Sequence, residues 1–324
     1  YSSAKRWQNP NYFRVKIQTS EVLSSSLLKT KKKWGYIYGD ERFQPKVTII
    51  VPNYNHAKFL RQRLDSIYNQ TYTNYEVILL DDNSSDESRE ILTEYAQRHA
   101  QNTKCLFNSV NSGSVFSQWK KGIDLAKGDF IWIAESDDYC SPNFISTLIP
   151  GLADESVMIA YCRTVFEKDG QHIWDLESYL ADINPNKWKR DFIEDAHSIV
   201  CSSMGEVNII PNVSSAIFRQ PGKMALFNDT DWLSLKFCGD WIFYLNLMRG
   251  GAISYTTKAT NYYRQHQNNT STKWQSTDIY YRETERVAMT VANLYAVAPS
   301  VFHRQKQRLQ NIWRTQRAQY LKED

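Results

Sequence analysis

The chain has 324 residues, of which 42% are hydrophobic and 23% are charged. That length and balance are typical of one large globular domain or two modest ones. The formal net charge of +4 is too small to indicate a nucleic-acid-binding protein, and we expect no nucleic acid among its partners. No apolar run reaches the roughly 18 residues that a membrane-spanning helix needs, and no signal-peptide pattern is visible.

The five cysteines are scattered and include no C-x-x-C pair. Isolated cysteines are usually small buried hydrophobes, so we predict a reducing, cytoplasmic setting with neither disulfides nor zinc. Residues 1–45 are predicted to be an N-terminal extension or linker, with a short helix at 21–28 and a basic run at 29–33. Because the first residue is Tyr1 rather than methionine, we expect a piece of a longer, multidomain chain.

The most informative stretch of the sequence runs from Lys46 to His56. Its short β-branched run predicts a buried strand rather than a helix. Pro52 is expected to end that strand, because proline brings no donor to a sheet ladder. Asn53, Tyr54 and Asn55 then lie at the strand's carboxyl end, where open α/β sheets bind their ligands.

Two more apolar runs also end in polar tips. The run at 75–80 leads into the sequence D-D-N-S-S-D at 81–86, and the run at 130–134 leads into E-S-D-D at 135–138. Because the carboxyl ends of parallel strands share one edge of a sheet, these tips are expected to meet. Clustered carboxylates at such an edge predict a site for a nucleotide and a divalent metal.

Helical patterns alternate with these strands, which predicts a parallel sheet built from β-α-β units. A helix is predicted at 57–70, a second through Ile91 and Tyr95 with Ser84 or Ser85 as its N-cap, and a third through Trp119 that Gly128 closes. Later in the chain the predicted elements are a helix at 142–152, strands at 157–166, 209–210, 213–219 and 252–257, a helix opening at 239–245, and two C-terminal helices. Residues 167–207 give no pattern.

Three segments and the acidic tip that follows them form a recognisable set: V-T-I-I-V-P-x-Y-N at 47–55, D-D-x-S-x-D at 81–86 and A-x-G-D at 126–129. This set resembles the family-2 inverting glycosyltransferases of bacterial surface-polysaccharide synthesis. The resemblance is strong over 46–152 and thinner over 207–269. It implies an α/β GT-A (Rossmann-like) fold, with a mixed, mainly parallel sheet flanked by helices and a C-terminal helical extension.

The resemblance also implies a domain organisation. The glycosyltransferase domain is expected to span 46–269 and to be followed by C-terminal helices at 270–324. Within the domain, a nucleotide-sugar-binding half is expected at 46–152 and an acceptor-binding half at 153–269.

The resemblance assigns roles on the donor side position by position. Pro52 and Tyr54 match the loop beside the nucleotide base, and Asp82 matches the carboxylate that accepts the pyrimidine imino N–H. Glu135-Ser136-Asp137 takes the place of the family's D-x-D, with Glu135 counted among the nucleotide-binding residues although glutamate departs from the pattern. Asp137 is the expected metal ligand, and Asp138 is the less favoured alternative.

On the acceptor side, Asp240 falls where the family keeps its catalytic base, near the start of a helix. The alternative is that Asp240 only caps that helix, because aspartate is a preferred N-cap residue. His266, in the sequence R-Q-H, resembles a position that completes the metal shell or touches the diphosphate; a structural histidine is the alternative. Trp119 stands near a position where many relatives have asparagine, in a segment whose spacing slips by one residue.

The resemblance therefore implies a metal-dependent glycosyltransferase, using Mn²⁺ or Mg²⁺. It would move a sugar from a UDP- or dTDP-linked donor to a glycan or lipid-linked acceptor, in the cytoplasm at the inner face of the membrane. The basic C-terminal helix, with interleaved Phe302, Leu309, Ile312 and Trp313, suits either peripheral contact with an anionic membrane or packing on its own domain.

Two other classes of protein remain open at this point. A sugar nucleotidyltransferase shares the sheet topology, but such enzymes carry a glycine-rich loop after the first strand and residues 53–59 contain no glycine. A non-catalytic glycan- or partner-docking module of a larger enzyme is the second alternative. The presence of Asp82, Asp137 and Asp240 together argues against that module.

Overall fold

The computed structural model describes residues 43–223, 231–267, 269 and 277–323. The predicted extension up to residue 42, with its short helix and basic run, lies outside these described residues. One sheet with the order β3-β2-β1-β4-β9-β6-β10-β5 runs through the described part, while β7 pairs with β6 and β8 with β10. Its strands are β1 (Val47–Asn53), β2 (Tyr75–Asp81), β3 (Thr103–Phe107), β4 (Phe130–Ile133), β5 (Tyr139–Cys140), β6 (Val157–Lys168), β7 (Gln171–Asp175), β8 (Phe192–Asp195), β9 (Ala216–Arg219) and β10 (Ala252–Arg264).

The predicted mixed, mainly parallel sheet is confirmed. β1 pairs in parallel with β2 on one side and with β4 on the other, and β6 pairs in parallel with β10 over most of its length. β9 joins these two parallel groups by pairing antiparallel with both β4 and β6. The carboxyl ends of β1, β2 and β4 therefore meet at one edge of the sheet, as their polar tips predicted.

The expectation that Pro52 ends the first strand is wrong. β1 continues through Pro52 to Asn53, which pairs with Asp81 of β2. The Asn53 carbonyl accepts from the Asp82 N–H on the β2 side, so the backbone of its neighbour Pro52 faces the β4 side. The last residue pair between β1 and β4 is Ile50 with Ile133, so at Pro52 the strand is no longer paired with β4. The missing N–H of proline thus costs no ladder hydrogen bond.

The α-helices of the described residues lie mostly where the hydrophobic pattern placed them. They are α1 (Ala57–Tyr68), α2 (Ser88–Arg98), α3 (Val115–Leu125), α4 (Phe144–Leu148), α5 (Leu176–Tyr179), α6 (Ala196–Ile199), α7 (Gly239–Leu247), α8 (Asp278–Leu294) and α9 (Pro299–Glu323). The N-cap of α2 is Glu87, so the predicted caps Ser84 and Ser85 are wrong. They are instead used in the loop, where the Ser84 hydroxyl accepts from the Asn55 N–H.

Other differences arise where local pattern is weak. The half-exposed strand β3, with the sequence T-K-C-L-F, was not predicted. Residues 209–210 are not a strand, and the run from 213 begins with a 3₁₀ turn at Val213–Ser215 before β9. The segment 167–207, which gave no pattern, contains β7, β8 and the short helices α5 and α6.

The C-terminal helices pack on the sheet domain. Val287 and Val291 of α8 are buried in the core, and Val301 of α9 is buried against Gly205. Arg304 of α9 donates to Glu206, at 2.9 Å. The first half of α9 therefore packs on its own domain, as one of the two alternatives predicted. Further along the helix, Trp313 is 48% exposed. No helix in the described part of the chain is long and apolar enough to cross a membrane.

Candidate active site

A cleft of about 1150 Å³ opens at the carboxyl edge of β1, β2 and β4. The tips of all three strands line it, and so does the start of α7. It therefore brings together six of the predicted site residues: Pro52, Tyr54, Asp82, Glu135, Asp137 and Asp240. Two other predicted residues, Asp138 and His266, lie beside Asp137 at the same edge.

The tips of β1 and β2 brace each other. The Asn53 amide donates to Asp81 at 3.0 Å, and the Ser85 N–H donates to the side-chain oxygen of Asn55 at 2.7 Å. Asn55 and Asn83 have φ values of 56° and 64°, a left-handed conformation that asparagine tolerates better than most residues. Tyr54 stands on this braced loop with 48% of its surface exposed, and its ring is free to pack against a planar ligand.

Asp82 is buried and held by donors from the loop that follows β3 and from α3. Its Oδ1 accepts from Asn108, from the Ser112 N–H and from Gln118, at 2.7, 2.9 and 2.9 Å. Its Oδ2 accepts from the Ser112 hydroxyl at 2.7 Å. Among the described contacts Oδ2 therefore has one donor against three on Oδ1, so it is the less occupied of the two oxygens.

The one-residue slip around Trp119 has a structural explanation. Gln118, its neighbour, is the residue that reaches Asp82. Trp119 points the other way and packs edge-on against Phe116 at 5.0 Å, in an aromatic group that includes Trp232 and Phe243. Trp119 is therefore a core residue that also lines the cleft.

The acidic tip after β4 contains carboxylates in different environments. Asp138 is fully buried and accepts from Ser214 and from the Arg264 backbone N–H, and burial raises its pKa to about 7. Burial also raises the pKa of Glu135 well above its usual range, with the charges of Asp137, Asp138 and Asp240 adding to the effect. Glu135 and Asp138 thus resist ionisation in these buried surroundings.

Asp137 differs because two histidines face it. Burial by itself would raise its pKa, but the charge of His56 and the hydrogen bond and charge of His266 outweigh that and lower it to about 2. The His266 Nε2 lies 3.0 Å from the Asp137 Oδ2. One ligand atom from each of His56, Asp137 and His266 lies within 4.8 Å of the others, and the same holds for Glu135, Asp137 and Asp138. Carboxylate oxygens and imidazole nitrogens suit a divalent cation, so the residues present fit one.

Arg264 ties the last residues of β10 to this acidic tip. Its guanidinium donates to the Asp137 backbone carbonyl at 2.7 Å and to Gln62, and lies over the rings of Phe59 and Tyr139. This clamp fixes where His266, two residues later, meets Asp137.

Asp240 lies at the second position of α7, after the N-cap Cys238, so it is not the N-cap itself. Its carboxylate accepts from the Asn208 amide at 3.0 Å and from the Trp241 N–H at 2.7 Å. Burial raises its pKa to about 7, against the lowering effect of these two hydrogen bonds. A carboxylate that titrates near neutrality and lines a cleft has the properties of a general base.

Several residues of the site were missed by sequence reasoning. His56 follows the predicted Asn53–Asn55 loop by one position, and that proximity was the only signal it gave. Asn208 lies 32 residues from Asp240, and Gln118 lies 36 residues from Asp82, in segments without a polar motif. The individual roles of the predicted residues stay predictions.

The sheet order and the acidic cleft at its carboxyl edge define a GT-A-type α/β fold. Residues 48–212 match the family model described as Glycosyl transferase family 2, and the chain belongs to that family of enzymes. This agrees with the resemblance seen in the strand tips and disfavours the sugar nucleotidyltransferase alternative.

Sequence relatives lie among bacterial glycosyltransferases. Glycosyltransferase GlyG of Streptococcus pneumoniae is 35% identical over 126 residues, which are 38% of this chain and 41% of GlyG. The putative glycosyltransferase EpsH of Bacillus subtilis is 30% identical over 151 residues, which are 46% of this chain and 42% of EpsH. The matched segment thus spans about two fifths of the length of either relative.

Solved structures show the same fold. The S. aureus TarS fragment 1-349 in complex with UDP-GlcNAc superposes with a TM-score of 0.60 at 21% identity, covering 77% of this chain and 67% of the fragment. Mannosyltransferase PcManGT from Pyrobaculum calidifontis, in complex with GDP-Man and Mn²⁺, gives a TM-score of 0.51 at 15% identity, covering 84% and 82%. The predicted GT-A fold is confirmed by these likenesses.

Proposed function

We propose that the chain is a metal-dependent inverting glycosyltransferase that moves a sugar from a UDP- or dTDP-linked donor to a hydroxyl of a glycan or lipid-linked acceptor. The observation that carries the proposal is one cleft lined by Asp82, Asp137 and Asp240. We assign these residues the roles of base-reading carboxylate, cation-binding carboxylate and general base. The nucleobase and the diphosphate of the donor, and the hydroxyl of the acceptor, need one of these groups each.

Asp82 is the group proposed to select the nucleobase. Uracil and thymine present an imino N–H that a carboxylate oxygen accepts, whereas cytosine has an acceptor at the same position. The less occupied oxygen of Asp82, Oδ2, suits the imino N–H of uracil or thymine. The exposed ring of Tyr54 on the neighbouring loop supplies a face for the base.

Asp137 and His266 are the residues proposed to hold the divalent cation, with Glu135 beside them. The bound cation neutralises the charge that develops on the departing diphosphate. The Mn²⁺ in the mannosyltransferase complex is compatible with such a requirement. Asp138 is the weaker candidate, since its oxygens already serve Ser214 and the Arg264 N–H.

Asp240 is the proposed base. Its carboxylate takes the proton from the acceptor hydroxyl while that oxygen forms a bond to the anomeric carbon. The bond from the anomeric carbon to the diphosphate oxygen breaks at the same time, and its electron pair leaves with the nucleoside diphosphate. Attack on the face opposite the leaving group inverts the anomeric carbon.

The acceptor proposal is supported by aromatic side chains at the far side of the cleft. Trp174 of β7 lines the cleft, is 43% exposed, and packs against Phe166 at 5.5 Å, which in turn lies 5.4 Å from Tyr263. Exposed aromatic faces of this kind stack on sugar rings. One relative is named as an enzyme acting on an undecaprenol-linked glycan and another as a poly(ribitol-phosphate) glucosyltransferase, which agrees with a glycan or lipid-linked acceptor.

Calorimetric titration of nucleotides with and without Mn²⁺ tests the donor proposal. UDP or dTDP should bind more tightly than CDP by about tenfold or more, since CDP leaves the Asp82 acceptor unpaired. The cation should strengthen UDP binding, Asp137→Ala should abolish that gain, and Asp138→Ala should reduce it less. A higher affinity for GDP than for UDP, or an affinity for UDP that does not change when Mn²⁺ is added, would contradict the proposed pocket.

A further inference from the structure

Three loops that are distant in sequence place two histidines and one carboxylate together. His56 follows β1, Asp137 follows β4 and His266 follows β10. One ligand atom of each lies within 4.8 Å of the other two. The two imidazole rings have centres 5.7 Å apart and planes at 82° to one another.

Both rings are held in place by neighbours. The His56 Nδ1 lies 2.8 Å from the hydroxyl of Ser136, which is 1% exposed. In the tautomer whose Nδ1–H donates to this hydroxyl, the Nε2 lone pair is free to bind a metal. His266 stacks on Phe59, with ring centres 4.9 Å apart.

We propose that His56 is a third protein ligand of the divalent cation, which gives the site two imidazoles and one carboxylate. The inference rests on the cation of the proposed function and adds to it a preference among cations. Mg²⁺ favours oxygen ligands and gives up its water reluctantly, whereas imidazole nitrogens suit transition-metal ions. The site is therefore selective for Mn²⁺ and similar ions over Mg²⁺.

The separations suit ligation better than the simpler role of holding the loop. Two ligands at a right angle around a cation, each about 2.1 Å away, lie about 3 Å from each other. The Asp137 Oδ2 and His266 Nε2 are 3.0 Å apart, and a nitrogen of His56 lies within 4.8 Å of a ligand atom of each residue.

Pulsed electron paramagnetic resonance of the Mn²⁺–UDP complex tests this assignment, because nitrogen bound directly to Mn²⁺ gives a resolved ¹⁴N coupling. The wild-type chain should show two coordinated nitrogens. His56→Gln and His266→Gln should each retain one, and the double variant none. His56→Gln should also weaken Mn²⁺ about tenfold or more while changing Mg²⁺ less. The exposed His197→Gln is the matched control and should leave every signal unchanged.

Each other result has a definite meaning. If His56→Gln keeps both nitrogen couplings and folds normally by its melting curve, His56 is not a ligand and the inference is overturned while the donor proposal stands. If that variant instead binds UDP more weakly with unchanged couplings, His56 contacts the diphosphate, which also overturns the inference. If the wild-type chain holds no Mn²⁺ with UDP, the metal dependence of the proposed function fails as well.

Discussion

Asp240 is the residue on which the chemistry of the proposed transfer depends. Replacing it by asparagine keeps the shape and an oxygen for the Trp241 N–H but removes the ability to accept a proton. We expect turnover to fall by roughly 10²–10⁴-fold, the usual contribution of a positioned acid–base group, with UDP affinity unchanged. Initial velocities and UDP titration measure the two quantities. Asp195→Asn, which keeps the cap of α6, is the control, and a near-normal rate for Asp240→Asn would remove it from the mechanism.

The raised pKa of Asp240 predicts a pH dependence. A base works only when deprotonated, so with a pKa of about 7 kcat/KM should rise with pH and level off above 7. The same shift affects stability, because the folded chain binds this proton more tightly than the unfolded chain. That stabilisation is present at low pH and is lost as the pH rises through 7. Asp240→Asn should therefore lose less stability than the wild type between pH 5 and 8, as urea unfolding would measure. An equal loss in both chains would contradict the shifted pKa.

At the scale of elements, α8 holds the start of the helix that carries Asp240. The buried Glu283 carboxylate accepts from the backbone N–H groups of Lys236, Phe237 and Cys238, at 2.7, 2.7 and 2.8 Å. These residues lead directly into α7, so the position of Asp240 depends on a contact made by the C-terminal helices. This is a functional reason for α8 to pack where it does.

Glu283→Ala leaves those three N–H groups without their acceptor. We expect a loss of about 1–3 kcal/mol in the free energy of unfolding, since buried unpaired donors cost that much. Turnover should fall further than UDP affinity, because the donor tips after β1 and β2 are untouched. Urea unfolding and initial rates measure both effects. Glu285→Ala, on the exposed face of the same helix, should change neither, and a stability loss there equal to that of Glu283→Ala would contradict the proposed clamp.

At the scale of the whole molecule, the two expected halves share one sheet. β4 of the donor half pairs with β9 of the acceptor half, with Trp132 opposite Ile217. The Trp132 indole donates to the Ser214 carbonyl at 2.9 Å, and its ring packs on Phe144 at 4.5 Å. A cut at residue 152 would leave the edge of β4 unpaired and a buried indole N–H without an acceptor.

We therefore expect residues 44–324 to unfold as one cooperative unit. Tryptophan fluorescence and circular dichroism should give coincident transitions in urea, and a fragment of residues 44–152 should show no cooperative melt. Two separate transitions, or a folded fragment, would mean that the halves are independent domains. The Asp137→Ala variant, which removes the proposed cation ligand without cutting the sheet, should keep the single transition and serves as the control.

The sequence by itself was sufficient for the central part of the sheet and its acidic edge. Buried parallel strands appear in the sequence as short apolar runs. A polar residue directly after such a run can therefore be placed at the carboxyl edge of the sheet. Tyr54, Asp82 and Asp137 could be placed together for that reason. Asp240 could be placed at a helix start, although only the resemblance gave it a role.

The tertiary structure alone decided which distant side chains complete these groups. Asn208 reaches Asp240, Gln118 reaches Asp82 and Glu283 holds the entry to α7, each across more than 30 residues of chain. His56 is adjacent to a predicted loop, but its approach to Asp137 depends on how β4 and β10 are packed. The local hydrophobic pattern reflects the secondary structure and the buried face of a single segment. It does not predict the relative positions of loops from separate strands, because those positions depend on how the whole sheet and its helices pack together.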